Sequence, residues 1–205
     1  MAELNHPVTG CELILGGQKS GKSRRAESLA AAWLSSPALN GQPRQATFIA
    51  TAQPWDAEMR QRIARHQADR ALRVPGMATL EEPVALAQAM ARLSAPHHLL
   101  VVDCLTLWLT NLLMPSDEKL AQNRHVSLDG IQLFASLIEF LQAAPGPVVL
   151  VGNEIGLGVI PMGTEVRQFV DTLGQLNQAV AAASQRVVLM VAGLPMLLKA
   201  EQKYV

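Results

Sequence analysis

The sequence predicts a single α/β domain in which a largely parallel β-sheet is flanked by helices. Short apolar stretches typical of buried strands alternate with stretches of helical periodicity, a pattern that favours a parallel sheet covered on both faces. A glycine-rich segment at residues 16–23 joins the first predicted strand to the first predicted helix. The length of 205 residues suits one domain, taken as residues 1–205 with a loose N-terminal extension over residues 1–10.

The first half of the chain changes composition clearly from element to element. Residues 24–33 are rich in Ala, Arg, Glu and Leu, which are strong helix formers, and this helix should reach about residue 35. Two prolines, Asn40 and Gly41 mark the following loop, and Pro75 with Gly76 breaks a later charged helix. In order, the predicted elements are strand 11–15, helix 24–35, loop 36–44, strand 46–51, helix 56–70, break 71–77 and helix 83–93.

The second half continues the alternation. Residues 99–102 are all Leu or Val, which predicts a buried strand that ends at Asp103 and leads into another helix. Apolar residues recur at helical spacing from Val166 to Val180, which predicts an amphipathic helix. In order, the remaining predicted elements are strand 99–103, a helix after it, polar surface loop 115–128, helix 131–141, strand 147–152, a Gly-containing loop to Pro161, helix 166–180 and a last strand 187–192.

Composition excludes several classes of protein. The formal net charge is zero and aromatic residues are few, so neither an electrostatic nor a base-stacking nucleic-acid surface is predicted. Cys11 and Cys104 form neither a metal-binding spacing nor a disulfide framework, which favours the cytoplasm. The most apolar run, residues 99–114, is shorter than the ~20 residues a spanning helix needs and contains Asp103 and Asn111. No membrane span is therefore predicted.

The segment GGQKSGKS at residues 16–23 fits the P-loop pattern G-x-x-x-x-G-K-[ST] at every fixed position. Glycines let successive backbone N–H groups turn towards phosphate oxygens, and the helix N-terminus adds partial positive charge. Lys22 should reach the β- and γ-phosphates, and the Ser23 hydroxyl should ligate Mg²⁺. The alternative is a glycine-rich turn that matches by chance. The predicted nucleotide contacts of this loop are Gly16, Gly17, Gln18, Lys19, Ser20, Gly21, Lys22 and Ser23.

Two further polar sites follow strands directly, and the carboxyl ends of parallel strands meet at one edge of a sheet. Asp103 ends an apolar strand, so its carboxylate could hold Mg²⁺ opposite Ser23, or it could only cap the following helix. Asn153 and Glu154 leave another apolar strand and enter a Gly-containing loop that could approach a substrate closely. The alternative for this pair is an ordinary turn at a strand end.

The helix predicted over residues 56–70 carries Glu58, Arg62, His66 and Arg70 at successive i,i+4 positions. These four residues could form a solvated face with ion pairing between Glu58 and Arg62. They could instead place His66 among arginines, where the imidazole could attack a phosphate whose charge those arginines offset. Spacing alone leaves both interpretations open.

Taken together, these residues resemble the bifunctional adenosylcobinamide kinase/adenosylcobinamide-phosphate guanylyltransferase family of cobalamin biosynthesis. The resemblance covers about residues 12–198. The P-loop is generic, whereas the helix ending in His66 and the Asn-Glu-x-Gly-x-Gly loop are specific. The matching segments are 16–24, Ala26-Glu27, Ile49-Ala50-Thr51, the Asp56-x-Glu58-Met59-x-x-Arg62-Ile63-x-x-His66 helix, Asp103-Cys104-Leu105-Thr106, Thr110-Asn111-Leu112-Leu113, and the loop from Asn153 to Pro161.

The resemblance implies two reactions, a RecA-like P-loop fold and a homotrimer. In the first reaction, ATP or GTP phosphorylates the aminopropanol hydroxyl of adenosylcobinamide with Mg²⁺. In the second, GMP passes from GTP to that phosphate through a guanylyl-histidine, giving adenosylcobinamide-GDP and pyrophosphate. Some members have two adjacent histidines at the end of the helix; here Arg65 stands at the first position, so the resemblance assigns GMP to His66.

The resemblance also implies further nucleotide contacts. Glu81 matches a family position associated with guanine nucleotides, while Met77 stands where a tryptophan is common. The implied contacts outside the P-loop are Thr51, Ala52, Gln53, Gln67, Ala68, Asp69, Arg70, Glu81 and Asp103. Two alternatives stay open at this point. They are a P-loop kinase for another small alcohol, which would release no pyrophosphate from GTP, and a non-catalytic P-loop regulatory module.

Overall fold

The computed structural model describes residues 7–54, 56–114, 134–159 and 161–200. The side chain of Arg62 is also outside the described part of the chain. The predicted surface loop 115–128 and the position of Ile131 lie outside the described residues, as does most of the N-terminal extension.

A seven-stranded sheet forms the centre of the fold, as the sequence predicts. Six strands are parallel and the last is antiparallel, in the spatial order β3-β2-β4-β5-β1-β6-β7. This order places β5 between the P-loop strand β1 and the Asp103 strand β4. The strands are β1 Cys11–Gly16, β2 Gln45–Ala50, β3 Ala78–Glu81, β4 His98–Asp103, β5 Val148–Val151, β6 Arg186–Val191 and β7 Leu194–Lys199.

Six helices are described, and each corresponds to a predicted one. The first begins at Lys22, two residues before the prediction, so Lys22 and Ser23 lie in its first turn. The second begins after Asp56, whose side chain accepts a hydrogen bond from Met59 N at 2.7 Å, and it runs three residues beyond the predicted end. The helices are α1 Lys22–Leu34, α2 Ala57–Arg73, α3 Leu86–Leu93, α4 Leu105–Leu113, α5 Ala135–Ala143 and α6 Thr164–Ala183. None of the described helices is long and apolar enough to span a bilayer.

Two strands are absent from the sequence prediction, and both lie at sheet edges. Strand β3 has four residues, is largely exposed and pairs with β2 alone, so little apolar signal marks it. Strand β7 contains Pro195 and alternates half-buried with exposed residues. It returns on β6 through Ala192 and Gly193, which have φ values of 51° and 81°. The predicted strand 187–192 is confirmed as β6, but it is not the last strand, because the chain turns at Ala192 and Gly193 into β7.

The sheet has an apolar core on each face. Leu13 and Leu15 of β1 point to one face, where they join residues of α3, α4, α5 and α6. Ile14 points to the other face, where Ala26, Leu29 and other residues of α1 cover the strands. Helix α2 contributes no residue of its own to the buried part of either core, and only Val74 just after it does so. Helix α2 is thus free to line a cavity at the carboxyl edge of the sheet.

Candidate active site

The P-loop runs from the end of β1 into the first turn of α1. Gly16 has φ 152°, and a Cβ on it would lie 2.6 Å from Met190 O, so only glycine fits this close approach to β6. Gly21 precedes the helix with φ 100°. Lys22 Nζ donates to Gly17 O at 2.6 Å, which holds the ammonium within the loop. The Ser20 hydroxyl is buried with no hydrogen-bond partner among the described residues, an arrangement that suits a phosphate oxygen.

Asp103 stands at the end of β4, beside the first turn of α1. Its carboxylate hydrogen-bonds Ser23, and the charges of Lys22, Arg70 and His66 also act on it. Desolvation nevertheless dominates and raises the pKa of Asp103. Burial lowers the pKa of Lys22, against which the Asp103 carboxylate acts. A hydroxyl and a carboxylate within hydrogen-bond reach are oxygen ligands of the kind that Mg²⁺ prefers, so these residues fit that ion.

The strand ends and α2 enclose one cavity of about 690 Å³. The P-loop and α2 both line the cavity, and β3, β4 and β5 each contribute a residue at or just after their ends. The predicted site residues that line the cavity are Gln18, Lys19, Ser20, Gly21, Lys22, Ser23, Ala52, His66, Gln67, Asp69, Arg70, Glu81, Asp103 and Asn153. The structure therefore brings the P-loop, the α2 histidine and the acid of β4 around a common space.

Helix α2 faces the cavity with both apolar and polar side chains. Met59 and Ile63 line it, followed by His66, which is exposed, and by Arg70, which is 6% exposed. The sequence analysis places Glu58, Arg62, His66 and Arg70 at successive i,i+4 positions. Each such step advances about 40° around the helix, so the first and last of them point in different directions. Arg70 consequently points into the protein, while Glu58 is exposed.

Arg70 is fixed by an aromatic ring and a hydroxyl. Its guanidinium lies 3.7 Å from the centroid of Phe48, and Nη2 donates to Thr79 Oγ1 at 3.3 Å. Burial lowers the pKa of Arg70, while Glu27 and Asp103 act in the opposite direction. A second arginine of α2, Arg73, pairs with Glu27 at 2.8 Å. Positive charge from α2 thus reaches the same cavity as the P-loop.

Glu81 at the end of β3 contacts the facing helix. Gln67 Nε2 donates to Glu81 Oε1 at 3.0 Å, and both residues line the cavity. This hydrogen bond ties the edge of the sheet to α2 at the end of the cavity that the resemblance associates with guanine. A carboxylate is a pure acceptor, which matches the N–H groups on one edge of guanine.

Several predicted contacts lie off the cavity wall. Thr51 is fully buried, and its hydroxyl donates to Cys104 O and accepts from Cys104 N, both at 2.8 Å. This side chain joins the ends of β2 and β4 and does not line the cavity. The other predicted residues that are not among those lining the cavity are Gly16, Gly17, Gln53, Ala68 and Glu154.

The sequence analysis missed residues whose roles depend on tertiary contacts. Phe48 and Arg73 line the cavity without belonging to any motif, and only the fold reveals them. Asn177 is a single buried amide among apolar residues of α6, and it contacts the loop after β5. An isolated asparagine on an otherwise apolar helix face is the one sequence signal that could have identified it.

Comparison with known proteins gives one consistent result. The family described as cobinamide kinase / cobinamide phosphate guanyltransferase matches residues 12–198. The bifunctional adenosylcobalamin biosynthesis protein CobP of Pseudomonas aeruginosa is 48% identical over 190 residues, which are 93% of this chain and 98% of that protein. The proteins named bifunctional adenosylcobalamin biosynthesis protein CobU from Escherichia coli and Salmonella typhimurium are each 35% identical over 194 residues, 91% of this chain and 98% of theirs.

Proposed function

This chain belongs to the cobinamide kinase / cobinamide phosphate guanyltransferase family, and we propose how its residues divide the two reactions of that family. The chain is a bifunctional transferase of adenosylcobalamin biosynthesis that phosphorylates cobinamide and then attaches a guanylyl group. The observation that carries the proposed division is that Lys22 of the P-loop and His66 of α2 line the same cavity. The two reactions then use different residues around the same phosphates.

In the kinase reaction, the P-loop and α1 hold the triphosphate of ATP or GTP. Lys22 offsets the charge on the β- and γ-phosphates, and the loop amides contact the same oxygens. Ser23 and Asp103 would hold Mg²⁺, which supplies further charge neutralisation when bound. The acceptor is the aminopropanol hydroxyl of adenosylcobinamide, approached from the loop that carries Asn153 and Glu154. Support comes from the hydrogen bond between Ser23 and Asp103 and from Asn153 on the cavity wall.

In the guanylyl reaction, a ring nitrogen of His66 attacks the α-phosphorus of GTP and pyrophosphate leaves. An oxygen of adenosylcobinamide phosphate then attacks the same phosphorus, the P–N bond breaks, and adenosylcobinamide-GDP forms. A covalent intermediate splits one displacement between two anions into two easier steps. Arg70 offsets phosphate charge, and Glu81 with Gln67 contacts guanine. Support comes from the exposed position of His66 on the cavity wall and from the Gln67–Glu81 contact.

The assembly and location complete the proposal. We propose a homotrimer, supported by exposed apolar side chains on β7 and on the loop after β5. We also propose the cytoplasm, supported by two free cysteines and by nucleotide triphosphate substrates.

A labelling experiment tests the role of His66. Protein incubated with α-labelled GTP should retain label through denaturation, and a histidyl P–N bond should be lost in acid and survive in base. His66→Asn should abolish labelling and guanylyl transfer but keep phosphorylation of adenosylcobinamide. The matched control is His97→Asn, because His97 does not line the cavity. Arg65→Ala should still label, with weaker GTP binding. Labelling of His66→Asn, or product formation by wild-type protein that never labels, would contradict this assignment.

A further inference from the structure

The loop after β5 is held between the P-loop and α4, the helix that follows Asp103. Glu154 N donates to Gly16 O, the first residue of the P-loop, at 3.2 Å. Asn153 N donates to Thr106 Oγ1, on the helix after β4, at 2.9 Å. Residues 153 and 154 are therefore anchored beside the P-loop; Asn153 lines the cavity, and Glu154 follows it directly in the chain without lining it.

Asn177 reaches this loop from the opposite side, out of an apolar helix face. It is 4% exposed, and its neighbours along α6, Leu173, Leu176 and Val180, are buried. Its Nδ2 donates to Asn153 O at 3.0 Å and to Glu154 Oε2 at 3.3 Å. Its Oδ1 is buried without a hydrogen-bond partner among the described residues.

The unpaired amide oxygen of Asn177 lowers the stability of the fold, so stability alone does not explain the presence of this residue. A buried amide oxygen without a partner costs about 1–3 kcal/mol, and an apolar side chain at this position would avoid that cost. A purely structural asparagine would account for the bond to the Asn153 carbonyl. It would not account for the second bond, which goes to the carboxylate of a half-buried glutamate next to the phosphate-binding loop.

The hydrogen bond from Asn177 leaves the second oxygen of Glu154 uncovered. Among the described residues, Glu154 Oε1 accepts no hydrogen bond. Gly156 lies opposite it, and a Cβ there would come within 3.5 Å of this oxygen. One carboxylate oxygen is thus anchored, and the other makes no hydrogen bond within the described residues and is available to accept a proton.

We propose that Glu154 is the base that takes the proton of the acceptor hydroxyl in the kinase reaction, and that Asn177 is the positioning residue that orients its carboxylate. The hydroxyl oxygen bonds to the γ-phosphorus, the bond from that phosphorus to the β–γ bridging oxygen breaks, and the nucleoside diphosphate leaves. The proton moves from the hydroxyl to Glu154 Oε1 and then to water. This inference rests on the proposed function, in which Asn153 and Glu154 form the acceptor loop.

The two reactions of the protein allow a test of this role, because only one of the two acceptors must lose a proton. The kinase acceptor is an alcohol, which must lose a proton as its oxygen attacks. The guanylyl acceptor is a phosphate, whose oxygen is already ionised near neutral pH. Loss of the base should therefore slow phosphorylation and spare guanylyl transfer to prepared adenosylcobinamide phosphate.

The first experiment measures both reactions in Glu154→Gln, which keeps shape and removes the base. The single-turnover rate of adenosylcobinamide phosphorylation should fall by about 10²–10⁴-fold. The KM for adenosylcobinamide and the rate of guanylyl transfer should stay within about threefold. The matched control is Glu165→Gln, because Glu165 is exposed in the first turn of α6. Near-normal phosphorylation by Glu154→Gln, or an equal loss in both reactions, would overturn the assignment.

The second experiment tests the positioning role with Asn177→Leu and Asn177→Asp. Both remove the N–H donors, and both should slow phosphorylation by about tenfold or more while sparing guanylyl transfer. The leucine variant loses the unpaired amide oxygen and also the donor to Asn153 O, two opposing effects on stability, so its unfolding temperature should stay close to that of wild type. Gln178→Leu, an exposed change one residue along, is the control. A leucine variant with normal phosphorylation, or one that loses both activities together with stability, would show that Asn177 is only structural.

Failure of the proposed function has a different signature. Wild-type protein would then leave adenosylcobinamide unphosphorylated with either ATP or GTP, which would overturn both proposals. If wild type forms the phosphate and Glu154→Gln forms it equally fast, only the inference about the base is wrong.

Discussion

The position of Asp103 suits its proposed role in binding Mg²⁺ but lowers the stability of the fold. Its carboxylate is placed beside Ser23 and Lys22, yet burial raises its pKa despite those partners. A raised carboxyl pKa means that ionised Asp103 lowers the free energy of unfolding at neutral pH. Sites that bind metal or phosphate commonly carry such a cost, because the ligand later supplies the missing interaction.

Asp103→Asn should therefore be more resistant to heat than wild type and less active. At neutral pH the folded state no longer holds a buried carboxylate, so the unfolding temperature should rise. The sign follows from the raised pKa: the advantage is present above the ordinary carboxyl pKa and shrinks as the pH falls and Asp103 is protonated in both states. Thermal unfolding measured between neutral and acidic pH checks this. Equal unfolding temperatures throughout would show that burial of Asp103 costs nothing.

The same variant should need more Mg²⁺ for phosphoryl transfer and turn over more slowly. An amide oxygen carries no full charge, so the proposed metal pair with Ser23 is weakened. Titration of kinase rate against Mg²⁺ measures the effect. An unchanged Mg²⁺ requirement and rate would leave Asp103 as a helix cap only.

Lys22→Ala should remove kinase activity from a folded protein. The ammonium lies inside the P-loop, and no other described side chain donates to Gly17 O. Loss of a cation at the β- and γ-phosphates should lower kcat by about 10²-fold or more. Turnover and circular dichroism are measured together, with Lys199→Ala as a control for removal of a remote positive charge. Near-normal turnover in folded Lys22→Ala would contradict the P-loop assignment.

At the scale of elements, the sequence predicts the buried strands well and the exposed edge strands poorly. Strands β1, β4 and β5 are buried over all or most of their length and are largely apolar, and the sequence analysis identifies them. Strands β3 and β7 lie at the edges, where one neighbour and partial exposure leave too weak a pattern. The motifs at strand ends predict the P-loop, Asp103 and Asn153. Phe48, Arg73 and Asn177 depend on which helix packs over which strand, and a linear pattern carries no such information.

Strand β3 and α2 meet at the Gln67–Glu81 contact, which gives a prediction about base selection. Glu81→Gln should raise the KM for GTP in guanylyl transfer by about tenfold to hundredfold, because a hydrogen bond to a charged acceptor contributes roughly 1.5–3 kcal/mol. ATP-dependent phosphorylation should change much less. Steady-state kinetics with both nucleotides measures this selectivity. An equal effect on ATP and GTP would show that Glu81 does not contact guanine.

At the scale of the whole molecule, exposed apolar side chains are the basis of the proposed homotrimer. Leu157, Val159 and Met162 on the loop after β5 are 79%, 96% and 95% exposed, and Leu194 on β7 is 71% exposed. Exposed apolar surface of this kind often marks an area that another molecule covers. We expect light scattering at micromolar concentration to report a trimer. A monomer under those conditions would contradict the proposed assembly.

The sheet order also determines when, during synthesis of the chain, the P-loop strand can pair with its neighbours. Strand β1, which leads into the P-loop, pairs only with β5 and β6, and those strands begin at Val148 and Arg186. A nascent chain that emerges from the ribosome therefore carries its phosphate-binding loop from the start but lacks both flanking strands until most of the polypeptide is made. Nucleotide should consequently protect only chains extended past β6, and ribosome-stalled fragments that end before β5 should remain protease-sensitive even when ATP or GTP is abundant.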